Sequence, residues 1–495
     1  MHDITELLER TTPDVVPVLD PHELGRRARR RTAARRAAMA IPVTALVALV
    51  AATVLPGGGG DGDVVVPAGP HTGAVGGPVG QWRQAAPPPF YPRGDAFTFP
   101  TADGRVVVWG GSTPNDGGRE GGGTLTDGGV YDPASDTWEP IPPAPVPPGL
   151  SFHRVQYAAD RLAVLGSHVG GRFHGAVYDV ETGAWIAVPN EDRVTVTVDA
   201  MAWTGETLVV MRFDRGTDDS GSRLGDWRID RPAVVRWTFG APRWVEGSQP
   251  PLSLRFGIGT AFDGERIAVW GGTDDARSQD PPRPDQVFLL YRDGAIYDVS
   301  SDVWTPIPDA PLERSIHPGL VWHDGRLVAG EGVATLTNPK DAQSRMASYD
   351  PSTGEWTPLD RAPAEGMLAS LPPTRMAADE VVPLLAVEPI GSPGGVQPRW
   401  VFDGVSWRQA PYPDVHRSGA TIVATTRWGD TAPGDPFAVQ VSNGGGVWSP
   451  APEAPFTTRG GAAVTLLDGR LVVVGGFERT TMEPVDDAWV LDLSP

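Results

Sequence analysis

The sequence predicts an all-β propeller, a ring of four-stranded blades, reached through a single apolar helix near the N-terminus. Three observations predict it. One phrase recurs, as "GGVYDPASDTWEPIPPAP" from residue 128, "GAIYDVSSDVWTPIPDAP" from 294 and "ASYDPSTGEWTPLDRAP" from 347; self-similarity at roughly 50 residues marks an array of supersecondary units. Glycine and proline number 61 and 52 among 495 residues, a density that favours many turns between short apolar runs. The last unit stops before its closing tryptophan, and the missing strand stands at the front of the array.

Residues 1–36 form a leader that ends in an arginine block, "RRARRRTAARR" (26–36). The uncharged run "AAMAIPVTALVALVAATVL" (37–55) follows. It is long enough for one membrane-spanning helix, and the arginine block then assigns the N-terminus to the cytoplasm and the remainder to the outside, a single-pass cell-membrane topology. A cleaved signal peptide is the competing reading, since small residues crowd the end of the run. Residues 56–78 are rich in Gly and Pro and read as a flexible linker.

Charge and cysteine usage narrow the function. Formal net charge is −20, which excludes a nucleic-acid partner, because phosphates require clustered Lys and Arg. The absence of cysteine removes disulfides, thiolate metal sites and Cys nucleophiles.

Residues 79–495 hold the repeat, and each unit has two halves. The first is a hairpin of apolar strands, as in "TADGRVVVWGG" (101–111), "FDGERIAVWGG" (262–272), "HDGRLVAGEG" (323–332) and "LDGRLVVVGG" (467–476). Asp-Gly supplies the positive φ angles of a primed hairpin turn. The second half is the Tyr-Asp to Trp phrase. Trp138, Trp185, Trp304 and Trp356 each stand seven residues after a Tyr, Trp244 and Trp407 seven after Trp237 and Trp400, and Trp448 seven after Val441. Four strands per unit follow. Such a sheet, apolar on both faces, is stable only when copies pack face to face around an axis. The strand "GQWRQ" with Trp82 completes the last unit and closes the ring, giving eight units; the count falls to seven if residues 416–455 form a partial blade.

"GRLVVVGG", the Gly-Gly doublets at Gly110–Gly111, Gly271–Gly272 and Gly475–Gly476, and "YDPSTGEWTPL" resemble the kelch motif. The stretch 79–495 is similar to a kelch-type β-propeller, and with the head and span the chain resembles a membrane-anchored bacterial kelch-repeat protein. The architecture also resembles the central domain of galactose oxidase. That enzyme's cofactor requires a Tyr–Cys crosslink, which a cysteine-free chain excludes, and no cofactor is expected.

The turns between first and second strands and between third and fourth strands share one face of the disc and are short. The long insertions, 112–129, 213–232, 273–286 and 331–345, share the other, and loop diversity on one face of a rigid scaffold is where binding concentrates. Links to that face repeat a basic residue, Arg93, Arg255, Arg314 and Arg459, and His153, His317 and His416 begin their blades nearby. These side chains either bond loop carbonyls and brace blades or line an anion or sugar-acid site. Three histidines bind a metal only where they converge, which spacing does not show, and no metal site is assigned.

No nucleophile elbow, P-loop or dinucleotide fingerprint appears in suitable context, so no catalytic residue is assigned. The leading expectation is a membrane-anchored extracellular binding protein that recognises a protein or glycan through its long-loop face. The alternative is a cell-envelope carbohydrate-active enzyme with its site at the axis. A third reading comes from "DITELLER": with the arginine block and one span it resembles the sigma-factor-binding cytosolic heads of bacterial membrane regulators, though without the His and Cys of the zinc-bearing kind.

Overall fold

Apolar runs of four to eight residues, punctuated by Asp-Gly and by the Tyr-Asp phrase, fold into hairpins throughout. The computed structural model describes residues 80–493 except 114–123, 148–149, 168–172, 191–199, 213–230, 256, 274–289, 314–317, 333–344, 362–366, 371–384, 389–398, 403–406, 413, 419–420, 427–433, 443–447 and 479. The described residues contain 32 strands and no helix. The leader, the expected span at 37–55 and the linker lie outside them. Among the described residues no helix is long and apolar enough to cross a membrane.

Blade 1 consists of β2 (Phe97–Pro100), β3 (Val106–Trp109), β4 (Gly128–Asp132) and β5 (Thr137–Ile141). Blade 2 is β6 (Ser151–Ala158), β7 (Arg161–Ser167), β8 (Phe173–Asp179) and β9 (Ala184–Val188). Blade 3 is β10 (Ala200–Trp203), β11 (Thr207–Arg212), β12 (Ala233–Thr238) and β13 (Val245–Glu246). Blade 4 is β14 (Gly259–Phe262), β15 (Arg266–Trp270), β16 (Gly294–Asp298) and β17 (Val303–Ile307). Blade 5 is β18 (Gly319–His323), β19 (Arg326–Gly330), β20 (Met346–Asp350) and β21 (Glu355–Leu359). Blade 6 is β22 (Met367–Ser370), β23 (Leu385–Glu388), β24 (Arg399–Phe402) and β25 (Trp407–Ala410). Blade 7 is β26 (Asp414–Ser418), β27 (Thr421–Thr425), β28 (Val439–Ser442) and β29 (Ser449–Pro450). Blade 8 is β30 (Ala463–Leu467), β31 (Arg470–Val474) and β32 (Ala488–Asp492), completed by β1 (Gln81–Gln84) from the other end of the chain. The described residues form eight sheets, each antiparallel and four-stranded, the larger of the two blade counts. The expected closing strand pairs Trp82 with Leu491 and Gln84 with Trp489.

The ring closes through its cores. Among the described residues eight apolar clusters occur, each spanning two consecutive blades, from Phe99 and Trp109 against Tyr157 and Val164 between blades 1 and 2 to Val106 and Val108 against Val472 and Val490 between blades 1 and 8. First strands of neighbouring blades touch, as β2 touches β30 and β14 touches β18, which sets them innermost.

The closing tryptophans work as expected from their spacing, and more specifically. Seven of them reach back to the preceding blade and donate the indole N–H to a carbonyl at or just past the end of its outer strand: Trp138 to Ala86 (2.8 Å), Trp185 to Pro142 (2.7 Å), Trp244 to Pro189 (2.7 Å), Trp304 to Ser248 (3.0 Å), Trp356 to Pro308 (2.9 Å), Trp448 to Gln409 (3.1 Å) and Trp82 to Pro452 (2.9 Å). Each joins ring burial to a hydrogen bond that specifies the angle between blades. In blade 6 the Trp407 indole nitrogen is buried with no partner among the described residues.

The seven-residue spacing fails in two blades. Tyr131, Tyr178, Tyr297 and Tyr349 do lie opposite Trp138, Trp185, Trp304 and Trp356. In blade 6, however, Phe402 and not Trp400 faces Trp407. In blade 7, Val441 pairs with Ser449, one step beyond Trp448. In both, the pairing register, not the count from an aromatic, decides the partner. Primed turns also obey geometry more than composition. Asp324–Gly325 and Asp468–Gly469 have positive φ at both positions, whereas at Asp103–Gly104 and Asp263–Gly264 only the glycine does, and Ala159–Asp160 makes the turn with no glycine.

The fixed Asp and Arg of the phrases meet on the short-turn face. Arg161, Arg326 and Arg470, which follow the first turn, bond Asp179, Asp350 and Asp492, which end the third strand, at 3.0, 2.8 and 2.8 Å. A second pattern crosses blades. The hydroxyls of Tyr131 and Tyr297 donate to Asp136 (2.6 Å) and Asp302 (2.5 Å). Those carboxylates also accept the backbone N–H of Ala86 and Ser248 and pair with Arg83 and Arg236 of the preceding blade.

Candidate functional site

The face that carries the long insertions is built at the ends of the second strands. In blade 1 the link residue Gly94 bridges to Ser112, which bridges to Thr124, and in blade 4 Thr273 bridges to Leu290. Gly460 bridges to Phe477 and Phe477 to Pro484 in blade 8. In these three blades the insertion therefore rises from a paired base. The glycine doublet lets the chain turn there: Gly111 has φ +93°, and a Cβ on it would stand 2.5 Å from the Gly94 carbonyl oxygen. Most of the insertions themselves, 114–123, 213–230, 274–289 and 333–344, lie outside the described residues.

Beneath these bases sit the arginines that the sequence singles out. Arg93 donates to the carbonyls of Tyr91 (2.8 Å), Gly110 (3.0 Å) and Asp127 (3.0 Å), pairs with the Asp127 carboxylate at 2.9 Å, and lies over the Phe90 ring. Arg255 repeats the arrangement with Gly271, the Asp293 carboxylate (3.0 Å) and the Tyr291 ring. Arg459 repeats it with Gly475, both Asp487 oxygens and the Phe456 ring. Arg93 and Arg255 are 2% and 1% exposed. Each guanidinium thus ties the end of the second strand to the start of the third, across the base of the loop. All three bond loop carbonyls, as one of the two readings that the sequence left open expects. Arg314 and His317 lie outside the described residues, as does the side chain of His153, which belongs to β6; His416 lies in β26 opposite Val423. Among the described residues no group of three His, Asp or Glu could hold a metal ion.

The acidic partners Asp127, Asp293 and Asp487 escaped the sequence reading, although a signal exists: each stands four residues before the Tyr131, Tyr297 or Leu491 that faces the closing tryptophan. Burial opposes ionisation of Asp487, but hydrogen bonds from Arg459 and Trp489 and the Arg459 charge outweigh it and hold the carboxyl below the usual carboxylate range.

Blade 5 has a different ion pair at the same loop base, with the cation on the third strand. At the position of Gly271 it has Glu331, 3% exposed, and at the position of Asp293 it has Arg345. Arg345 pairs with Glu331 at 3.0 Å and with Glu313 at 3.2 Å, and Glu331 accepts the Glu313 backbone N–H at 2.7 Å. The Arg345 guanidinium is held above its ordinary value, because the Glu331 and Glu313 charges and hydrogen bonds exceed the effect of burial. An ion pair with one buried member is what recurs at the loop base: a link arginine against the aspartate before the third strand in blades 1, 4 and 8, and Glu331 against Arg345 in blade 5.

Comparison with known proteins agrees with these blades. A 128-residue stretch is 30% identical to an F-box/kelch-repeat protein of Arabidopsis thaliana, covering 26% of this chain and 32% of that protein. A 231-residue stretch is 23% identical to a kelch-like protein of Aspergillus terreus, covering 42% of this chain and 43% of that one. The fold is a kelch-like β-propeller. The chain spans less than half the length of either relative. No protein-family profile matches it.

Proposed function

We propose that this chain is a binding protein whose propeller captures a protein partner on the long-loop face. The observation that carries the reading is the set of buried clamps. Four blades fix the bases of their insertions with ion pairs of which one member is buried, which is how a rigid scaffold presents variable loops. Kelch-repeat proteins generally bind proteins, and the acidic balance of residues 37–495, 33 positive and 55 negative charges, suits a partner with a basic surface. Arg93, Arg255 and Arg459 contribute by positioning loops. Arg314, His153, His317 and His416 are the proposed axial contacts. The apolar run 37–55 after its arginine block supports a single-pass anchor with the propeller outside the cell.

The test is a protein and glycan array probed with the full chain and with a variant in which 213–232 is replaced by a short Gly-Ser link. The expected result is a protein hit that the variant loses while its melting temperature is unchanged. A glycan hit, or a protein hit indifferent to this loop, contradicts the reading. Membrane fractionation of the full chain tests the anchor, and a mature protein beginning near residue 56 in the medium would replace it with a signal peptide.

A further inference from the structure

The outer strand of each blade is a sheet edge, and its free N–H and C=O groups invite another strand unless something blocks them. Two residues after the closing tryptophan, blades 1, 4, 5 and 7 carry Pro140, Pro306, Pro358 and Pro450. Proline is tolerated there because its nitrogen faces away from the ladder, so this is a position whose N–H points outward. Blade 3 has Glu246 in that position, and blades 6 and 8 carry Arg408 and Arg83 one residue before it. Blade 2 has Ile186 and Ala187. Among the eight outer strands, β9, with the sequence AWIAV, has neither a proline nor a charge at these two places.

We propose that β9 is a homodimer interface, pairing antiparallel with β9 of a second copy about a two-fold axis through Ile186. Three features favour a copy of the same chain. The register against β8 matches Ala187 with Ala176 and Ile186 with Val177, the alternation in which Trp185 and Ala187 turn their N–H and C=O outward. Pairing about Ile186 then sets Trp185 opposite the partner's Ala187, and each such pair exchanges both hydrogen bonds. The same register matches a large ring with a methyl group on either side of the axis. Charge completes the argument: β9 brings no like charges together, whereas self-pairing of β5, β25 or β1 about the equivalent residue would set Glu139, Arg408 or Arg83 against itself.

The chain has no cysteine, so Ile186→Cys introduces a single thiol. Directly opposed residues at the centre of such a pair have Cα atoms about 4.5 Å apart, within disulfide range. The full-length chain, in detergent micelles, should form a disulfide-linked dimer on mild oxidation, with a yield several-fold above that of Thr305→Cys, the equivalent residue of β17 beside Pro306. Ala187→Pro copies four sister blades and should leave the melting temperature unchanged while halving the mass measured by light scattering. A wild-type chain that is monomeric at tens of micromolar overturns the proposal, as does equal crosslinking of the two cysteine variants. If Ile186→Cys fails to fold, the Ala187→Pro mass comparison decides alone. Recovery of β9 paired with an extended peptide from another protein would also overturn it.

Discussion

Both faces of the disc are laced by Arg–Asp pairs, and their burial differs: the turn face holds open pairs beside the buried Arg161–Asp179, whereas the link arginines of the loop-face clamps, Arg93, Arg255 and Arg459, are all buried. On the short-turn face, Arg326–Asp350 and Arg470–Asp492 stand at 2.8 Å but open to water. On the long-loop face, Arg255–Asp293 has nearly the same length, 3.0 Å, with its arginine side chain 1% exposed. Residue types and distance are shared, yet the energetic roles differ, because an exposed pair exchanges hydration for contact at almost no net gain. A buried guanidinium has no hydration to return to if its partner is lost. The turn-face pairs mark the repeat; the loop-face pairs hold its variable parts in place.

The strongest way to break this contrast is to orphan a buried arginine. Asp293→Ala should cost about 3 kcal/mol in urea unfolding, the lower end of the range for broken buried pairs because the Asp293 carboxylate is partly hydrated. Next in size is the blade-to-blade indole bond: Trp304→Phe keeps most of the ring but loses the donor to Ser248, and should cost about 1 kcal/mol by the same assay. Smallest is Arg470→Ala on the turn face, expected below about 1 kcal/mol and shrinking further in high salt. If Arg470→Ala matched Asp293→Ala, burial would not be the deciding variable.

Acid titration sharpens the comparison at the blade seams. Burial opposes ionisation of Asp302, but the Ser248 N–H, the Tyr297 hydroxyl and the Arg236 charge together hold its carboxyl below the ordinary value. A carboxyl depressed in the folded state contributes stability that is present above its unfolded pKa, about 3.9, and is lost as pH falls through the folded value. Asp302→Asn should therefore flatten the loss of stability below about pH 4, read from urea midpoints at pH 7, 4 and 3.

The blades were legible because their signals are local and repeated. Tyr131 and Trp138 lie within one hairpin, so a constant spacing reports a constant register, and where the tryptophan is the first residue of its strand, at Phe402–Trp407, the same rule names the wrong partner. The Ala159–Asp160 turn was invisible because it adopts positive φ without glycine. The clamps were half legible. Arg93, Arg255 and Arg459 repeat at fixed distance from a turn, but their partners Asp127, Asp293 and Asp487 follow insertions of different length, and only the fold brings the two strand ends together. Glu331 and Arg345 were harder still, since Glu331 stands where the other clamped blades have glycine and so breaks the pattern that a reader would follow.

Closure of the ring by the N-terminal strand joins residues separated by about the whole propeller, and amide hydrogen exchange at residues 81–84 of the intact chain measures it directly. With β1 paired to β32, the backbone amides that face β32 should be protected to the same degree as those of β17, the outer strand of blade 4. Exchange at the rate of an unstructured peptide, with β32 equally unprotected on that edge, would contradict an eight-bladed ring stitched from both ends.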